Sequence, residues 1–210
     1  MRLYLARHGE TESNNKKIIQ GQADTKLNEV GKQQAKNLAR VLKDKKIEKI
    51  YSSDLSRARE TAEIINGELN VELVLTKKLR ELDMGNWEGK SFLELQKIPD
   101  FKKWVTAPTT FDDVRGGETL LELRNRIVGF LSEIKNEKEE NILIVSHGIA
   151  LTTLILSILD SPMDNIWKLR VNNASLSIVK YLETFDTWVV EKFNDFNHNI
   201  EYFERDVYNF

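Results

Sequence analysis

Cysteine is absent from all 210 residues, which removes disulfide frameworks, thiolate metal sites and cysteine nucleophiles together. Proline is scarce: Pro99, Pro108 and Pro162 are the only three, and none marks a linker. No apolar stretch is long enough to cross a membrane. The most apolar window, Ile149 to Leu159, is interrupted by Thr152, Thr153 and Ser157 and reaches about half of the ~20 residues a helical span needs. An excess of either charge is missing as well. Lys and Arg total 31 against 33 Asp and Glu, a net charge of -2, which argues against nucleic acid or an anionic membrane as an obligate partner. Met1-Arg2 is followed by only Leu3-Tyr4-Leu5-Ala6 before Arg7-His8, too little for a secretory apolar region, so a cytoplasmic location is expected. Histidine is rare too, with three in the chain. No two lie at i, i+4 and no acidic cluster suits a magnesium clamp, so neither a metal nor another cofactor is expected.

What is present reads as a folded domain, 40% hydrophobic and 30% charged. A chain of this length suits one domain with a modest insertion. Leu3–Ala6 and Ile142–Val145 are continuous apolar runs, the pattern of strands buried on both faces. Ile47–Tyr51 and Val71–Leu75 are weaker strand candidates, and Leu176–Leu182 with Thr187–Phe193 resemble a hairpin around Glu183–Asp186. Helices are expected from Glu29 to about Lys45 behind the N-cap Asn28, from Leu55 to Leu69, from Thr119 to about Lys138, and after His147. This alternation predicts a three-layer α/β/α sandwich with a mostly parallel central sheet. Ligands in such folds sit beyond the carboxyl ends of the strands.

Two places meet that condition. The first strand runs into Arg7-His8-Gly9, and Ile142–Val145 runs into Ser146-His147-Gly148. Each is an apolar strand, a histidine, then a glycine that permits a close turn. If the strands are neighbours, both imidazoles reach one crevice; otherwise each is a hydrogen-bonded residue in a strand-end turn. Arg57 stands near the start of its helix, a cation at the positive pole. A bound phosphate would resolve that conflict, and a surface ion pair with Asp54 or Glu60 is the plainer alternative.

The block Arg7-His8-Gly9-Glu10-Thr11-Glu12-Ser13-Asn14 resembles the signature of the histidine phosphatase superfamily, in its phosphoglycerate-mutase-like branch. Further blocks follow in order: Gln20-Gly21, Leu27 to Ala35, Ser52 to Ala62, Glu81 to Gly89, Gly116 to Thr119, and Ser146-His147-Gly148. The resemblance implies that His8 is the nucleophile and carries a phosphoryl group transiently. Arg7, Arg57 and His147 would clamp the phosphoryl oxygens, and Asn14 would add a neutral donor. Thr11, Gln20 and Gly21 fall to the substrate and phosphate side of the same site. Glu81 would protonate the leaving alkoxide and then activate water, which requires a neutral carboxyl near pH 7. The same scheme wants His8 neutral and His147 protonated, the latter favoured by contact with a dianionic phosphate. Asp83 and Glu88 read as supporting residues, Trp87 as packing.

Two motifs are set aside. Gly85 to Ser91 imitates a P-loop but is one residue short, and Asn173-Ala174-Ser175 is a glycosylation sequon without a role in a protein that is not exported.

The expectation is thus a single domain over 1–210, with 90–117 as a small cap over the pocket and 195–210 as a C-terminal tail. Its predicted activity is phosphomonoester hydrolysis on small phosphorylated metabolites through a phosphohistidine. A cofactor-dependent phosphoglycerate mutase is the alternative, disfavoured by the compact stretch between the Glu81 and His147 blocks; a non-catalytic phosphate-binding or interaction module is the other. The expected partner is a small phosphate ester, with no nucleic acid and no membrane. Tyr202, Phe203, Tyr208 and Phe210 leave three options for the tail: core packing, covering the pocket, or a homodimer contact. His198 is expected to be structural.

Overall fold

Leu3, Leu5, Ile142 and Ile144 pack into one apolar cluster, while Tyr4, Ala6, Leu143 and Val145 pack into another. Residues of alternate parity on the same two strands therefore face two separate cores, which is why both runs are unbroken in the sequence. The computed structural model describes residues 1–113 and 115–205. Tyr208, Phe210 and the side chain of Phe203 lie outside the described residues.

In chain order the elements are β1 (Arg2–Arg7), α1 (Glu12–Asn15), α2 (Glu29–Leu42), β2 (Lys49–Ser53), α3 (Ser56–Leu69), β3 (Glu72–Thr76), α4 (Phe92–Leu95), α5 (Pro99–Thr106), α6 (Leu120–Ile134), β4 (Asn141–Ser146), α7 (Gly148–Ile158), β5 (Leu176–Leu182) and β6 (Thr187–Asp195), with short 3-10 turns between them. The sheet order is β3-β2-β4-β1-β5-β6. The first four strands in that order are mutually parallel; β5 and β6 extend the sheet antiparallel. Apolar residues of α2 and α3, such as Leu38, Ala58 and Ile65, cover one face. Leu123, Ile127, Leu151 and Leu154 of α6 and α7 cover the other. The three-layer α/β/α arrangement follows.

Local chemistry sets the helix starts. Asn28 Oδ1 accepts the Gly31 N–H at 2.8 Å to begin α2. Thr119 and Glu122 form a reciprocal capping box at α6. The most apolar helix, α7, buries seven of its eleven residues, and each fully buried large aliphatic side chain there stabilises by about 1.5–3 kcal/mol.

Some boundaries move from their predicted positions. β2 runs to Ser53 instead of stopping at Tyr51, because pairing with β3 and β4 continues past the apolar run. Ser52 and Ser53 are both fully buried. α6 ends at Ile134 rather than near Lys138, and Glu137 instead meets Lys49 at 3.1 Å and the hydroxyl of Tyr51. Beyond the sheet, Asn199 accepts from Asn37 of α2 at 3.0 Å, and His198 Nε2 bonds the Ala174 carbonyl oxygen at 2.8 Å. The described part of the tail thus packs on the domain through these contacts. Among the described residues no helix is long and apolar enough to cross a membrane.

Candidate active site

β1 and β4 are parallel neighbours, in register from Arg2 opposite Asn141 to Arg7 opposite Ser146. Each histidine follows the last paired residue of its strand, so the two rings emerge side by side. Their centroids are 5.2 Å apart with planes at 58°, and both side chains are buried.

His8 Nδ1 lies 2.7 Å from the Gly9 carbonyl oxygen. A carbonyl only accepts, so the proton sits on Nδ1 and Nε2 keeps its lone pair. Burial, and then the charges of Arg57 and Arg7, hold this imidazole well below its usual range. It is neutral at physiological pH, as a nucleophile requires. Asn173 Nδ2 donates to the carbonyl oxygens of His8 (3.0 Å) and Gly9 (3.3 Å), fixing the turn from beneath.

His147 Nε2 is 2.8 Å from Ser53 Oγ, which accepts the Leu55 N–H at 3.3 Å. We assign the Ser53 hydrogen to His147 Nε2, so that Nδ1 carries the ring proton. That nitrogen is buried with no hydrogen-bond partner, an arrangement that costs about 1–3 kcal/mol unless a ligand oxygen fills it. Burial, Arg57, His8 and Arg7 push His147 well below the usual range as well. By themselves, burial and two guanidinium groups hold both rings below their usual range, so the charged His147 of the expected scheme depends on the phosphate that scheme places beside it. Charging His147 needs an anion beside it.

The arginines are held by backbone oxygen. Arg7 Nη1 donates to Val171 O at 2.7 Å. Arg57, the second residue of α3, donates to Gly21 O at 2.7 Å and Ala23 O at 2.8 Å. Burial pushes Arg57 down to about 10, with Glu81 opposing the shift, and it stays cationic at neutral pH. The surface ion pair considered for it does not form. Arg57 is buried, and Arg80 instead binds Asp54 through two bonds of 2.6 Å.

Glu81 joins two distant blocks. Its carboxylate accepts from Leu82 N at 2.9 Å and from Ile149 N and Ala150 N at 3.1 and 3.0 Å, which seats it on the first turn of α7. Asn14 Oδ1 accepts from Thr11 N at 3.1 Å and from Asn173 Nδ2 at 3.3 Å, leaving its NH2 as a donor. Thr11 is fully buried; it caps α1 and donates to Gln20 Oε1 at 3.0 Å. Glu88 Oε1 accepts from Gln22 N and Met84 N, and Asp83 Oδ1 from Gly85 N. Trp87 is buried in the apolar core.

Arg7, His8, Asn14, Gln20, Gly21, Arg57 and Glu81 line one cavity of about 680 Å³. Thr11 and His147 are not among the lining residues, and the His147 ring packs directly beside that of His8. Two contributors were not anticipated. Ser53 lies inside a recognised block yet carries no signal of its own. Asn173 reads as a sequon, and only the fold shows it buried beneath His8.

The glycine rationale divides. A Cβ at Gly9 would lie 2.4 Å from the Gly31 carbonyl oxygen, whereas one at Gly148 would reach only 3.5 Å from the Arg7 guanidinium. Close approach explains Gly9 and does not explain Gly148.

The model described as histidine phosphatase superfamily (branch 1) matches residues 3–196. A protein of Escherichia coli named "Probable phosphoglycerate mutase GpmB" is 36% identical over 203 residues, 94% of each chain. Among solved structures, Bacillus stearothermophilus YhfR superposes with a TM-score of 0.86 at 33% identity, over 94% of this chain and 98% of that one. A phosphoserine phosphatase of Entamoeba histolytica, in complex with 3-phosphoglyceric acid, gives 0.81 at 30% identity over 94% and 98%.

Proposed function

From the premise that this chain belongs to branch 1 of the histidine phosphatase superfamily, we propose that it hydrolyses small phosphomonoesters through a phosphohistidine on His8. One observation carries the reading: a neutral His8 with its Nδ1 proton tied to Gly9, in a cavity shared with two guanidinium groups and Glu81.

His8 Nε2 attacks phosphorus while the P–O bond to the alcohol breaks and Glu81 gives its proton to the leaving oxygen. Arg7, Arg57, the Asn14 amide and His147 Nδ1–H hold the non-bridging oxygens, whose charge the transition state spreads. The dianion's charge draws a proton onto His147. Water then attacks the phosphohistidine, Glu81 takes its proton, the P–N bond breaks and inorganic phosphate leaves. Gln20 and Gly21 border the ester, with Thr11 positioning Gln20 and Asn14. Residues 90–117 serve as a cap, supported by the contribution of Phe92, Phe101, Trp104 and Val105 to the cavity wall. The reading includes independence from metal, a cytoplasmic location, and no nucleic-acid or membrane partner, the last supported by the net charge of -2.

Turnover of p-nitrophenyl phosphate that persists in EDTA and disappears in His8→Ala is the expected result. Absence of turnover across a broad ester panel would return the protein to a non-catalytic role. The mutase reading keeps its place because of the 36% identical relative; 3-phosphoglycerate assayed with and without 2,3-bisphosphoglycerate decides it. Efficient cofactor-dependent isomerisation would replace hydrolysis as the activity.

A further inference from the structure

The phosphate-gripping groups occupy only part of the cavity, and much of its remaining wall is apolar, with four aromatic rings among the aliphatic side chains. Phe92, Phe101 and Trp104 of α4 and α5 line it together with Trp167, Ile166 and Ile149. These rings are locked against one another. Trp104 meets Trp167 edge-on at 4.9 Å and Trp87 at 5.3 Å, and Phe101 meets Trp87 at 5.2 Å and Phe92 at 5.6 Å. The Trp104 indole N–H donates to Asp112 Oδ1 at 3.2 Å. Its ring lies 4.9 Å from the guanidinium of Arg115, which is itself bonded to Asp112 at 2.6 Å. A wall held this way is shaped before any ligand arrives.

Charge along the lining points the same way. Glu81 is the one acidic residue among those that line the cavity, and Arg7 and Arg57 are committed to the phosphoryl end. The other two lining cations, Lys168 and Arg170, are exposed to solvent. A carboxylate or ammonium on the ester body would lose its water without gaining a buried counter-ion, whereas an apolar ring gains contact with the aromatic wall.

We propose that the ester body accepted here is bulky, uncharged and largely apolar, of the arylalkyl kind, rather than a small amino or carboxylic acid; this rests on the phosphate-ester reading of the site. The test uses primary alkyl esters, so that leaving-group reactivity is matched: 2-(1-naphthyl)ethyl phosphate against O-phosphoserine and 3-phosphoglycerate. Phosphate release by the full chain should favour the naphthylethyl ester at least tenfold in kcat/KM, mostly through KM. Trp167→Ser should cut that preference about fivefold. Equilibrium binding of the same esters to His8→Ala, followed by calorimetry, should show the same order. Equal or tighter binding of phosphoserine or 3-phosphoglycerate overturns the proposal, as does a preference untouched by Trp167→Ser. Selective binding of the apolar ester with no release by the unmodified chain would overturn the hydrolase reading and leave the substrate class standing.

Discussion

At Arg7-His8-Gly9 and at Ser146-His147-Gly148 one local pattern meets two surroundings. His8 borders the cavity and has its tautomer set by a carbonyl in the next residue. His147 lies beside it, fully buried, with its orientation set by Ser53 from another strand and Nδ1 unpartnered. The first arrangement exposes a lone pair and suits a nucleophile. The second presents a donor and suits an oxygen of the phosphoryl group. Adjacent strands brought the rings together, but their partners separate the two jobs.

The hardest test of that division is substitution of each ring. His8→Ala should lower kcat by about 10⁴-fold or more, and alkali-quenched protein, in which a phosphohistidine survives, should hold none. His147→Ala should cost about 10²–10³-fold, as for loss of one transition-state donor, while phosphohistidine still forms slowly. Equal losses with no phosphoenzyme in either variant would erase the distinction.

Next in size is the contrast between the glycines. Gly9→Ala drives a Cβ into the Gly31 carbonyl, and Gly31 cannot retreat because its own Cβ direction meets Glu10 O at 2.1 Å. A loss of roughly 2–4 kcal/mol in urea unfolding is expected. Gly148→Ala should stay within about 1 kcal/mol of the parent protein. The reverse order would show that the turn at Gly148 is the tighter one.

The pH dependence of stability sharpens what the two rings share. Both imidazoles are held below their unfolded value, by burial first and then by arginine charge. Below about 6.5 the unfolded chain binds protons that the folded chain refuses, so the contribution is full above that pH and lost as pH falls. Each histidine should remove roughly 1.4 kcal/mol per pH unit below 6.5 until its folded value is reached. Thermal unfolding of His8→Asn/His147→Asn should lack this slope, and phosphate should reduce it in the parent by favouring a charged His147. A flat profile without phosphate would contradict neutral rings.

The smallest expected change is at the link from β2. Ser53→Ala removes the hydroxyl that holds the His147 tautomer, and kcat should fall roughly tenfold with little change in KM. Ser53→Thr, which restores a hydroxyl, should recover most of it. An unchanged kcat would mean that packing alone orients His147.

Much of this protein is readable in one dimension. Unbroken apolar runs marked β1 and β4, Asn28 marked the start of α2, and two histidines at strand ends marked the crevice, because each depends on neighbours within a few residues. Arg57 and Glu81 were reachable through ordered blocks, though what holds them was not. The carbonyls of Gly21 and Ala23 and the first turn of α7 are neighbours only in space.

Other features were decided entirely by the tertiary structure. Asn173 follows His8 by 165 positions and is buried beneath it; its own triplet suggests an unrelated role. Ser53 finds His147 across 94 positions. The charge of His147 could not be read from its motif, because a side chain's charge reflects the dielectric and the ions around it. The chain's order determined which groups were supplied and at which strand ends they emerge; folding alone determined which atoms face one another, since electrostatics and hydrogen bonds act across space and do not follow the sequence.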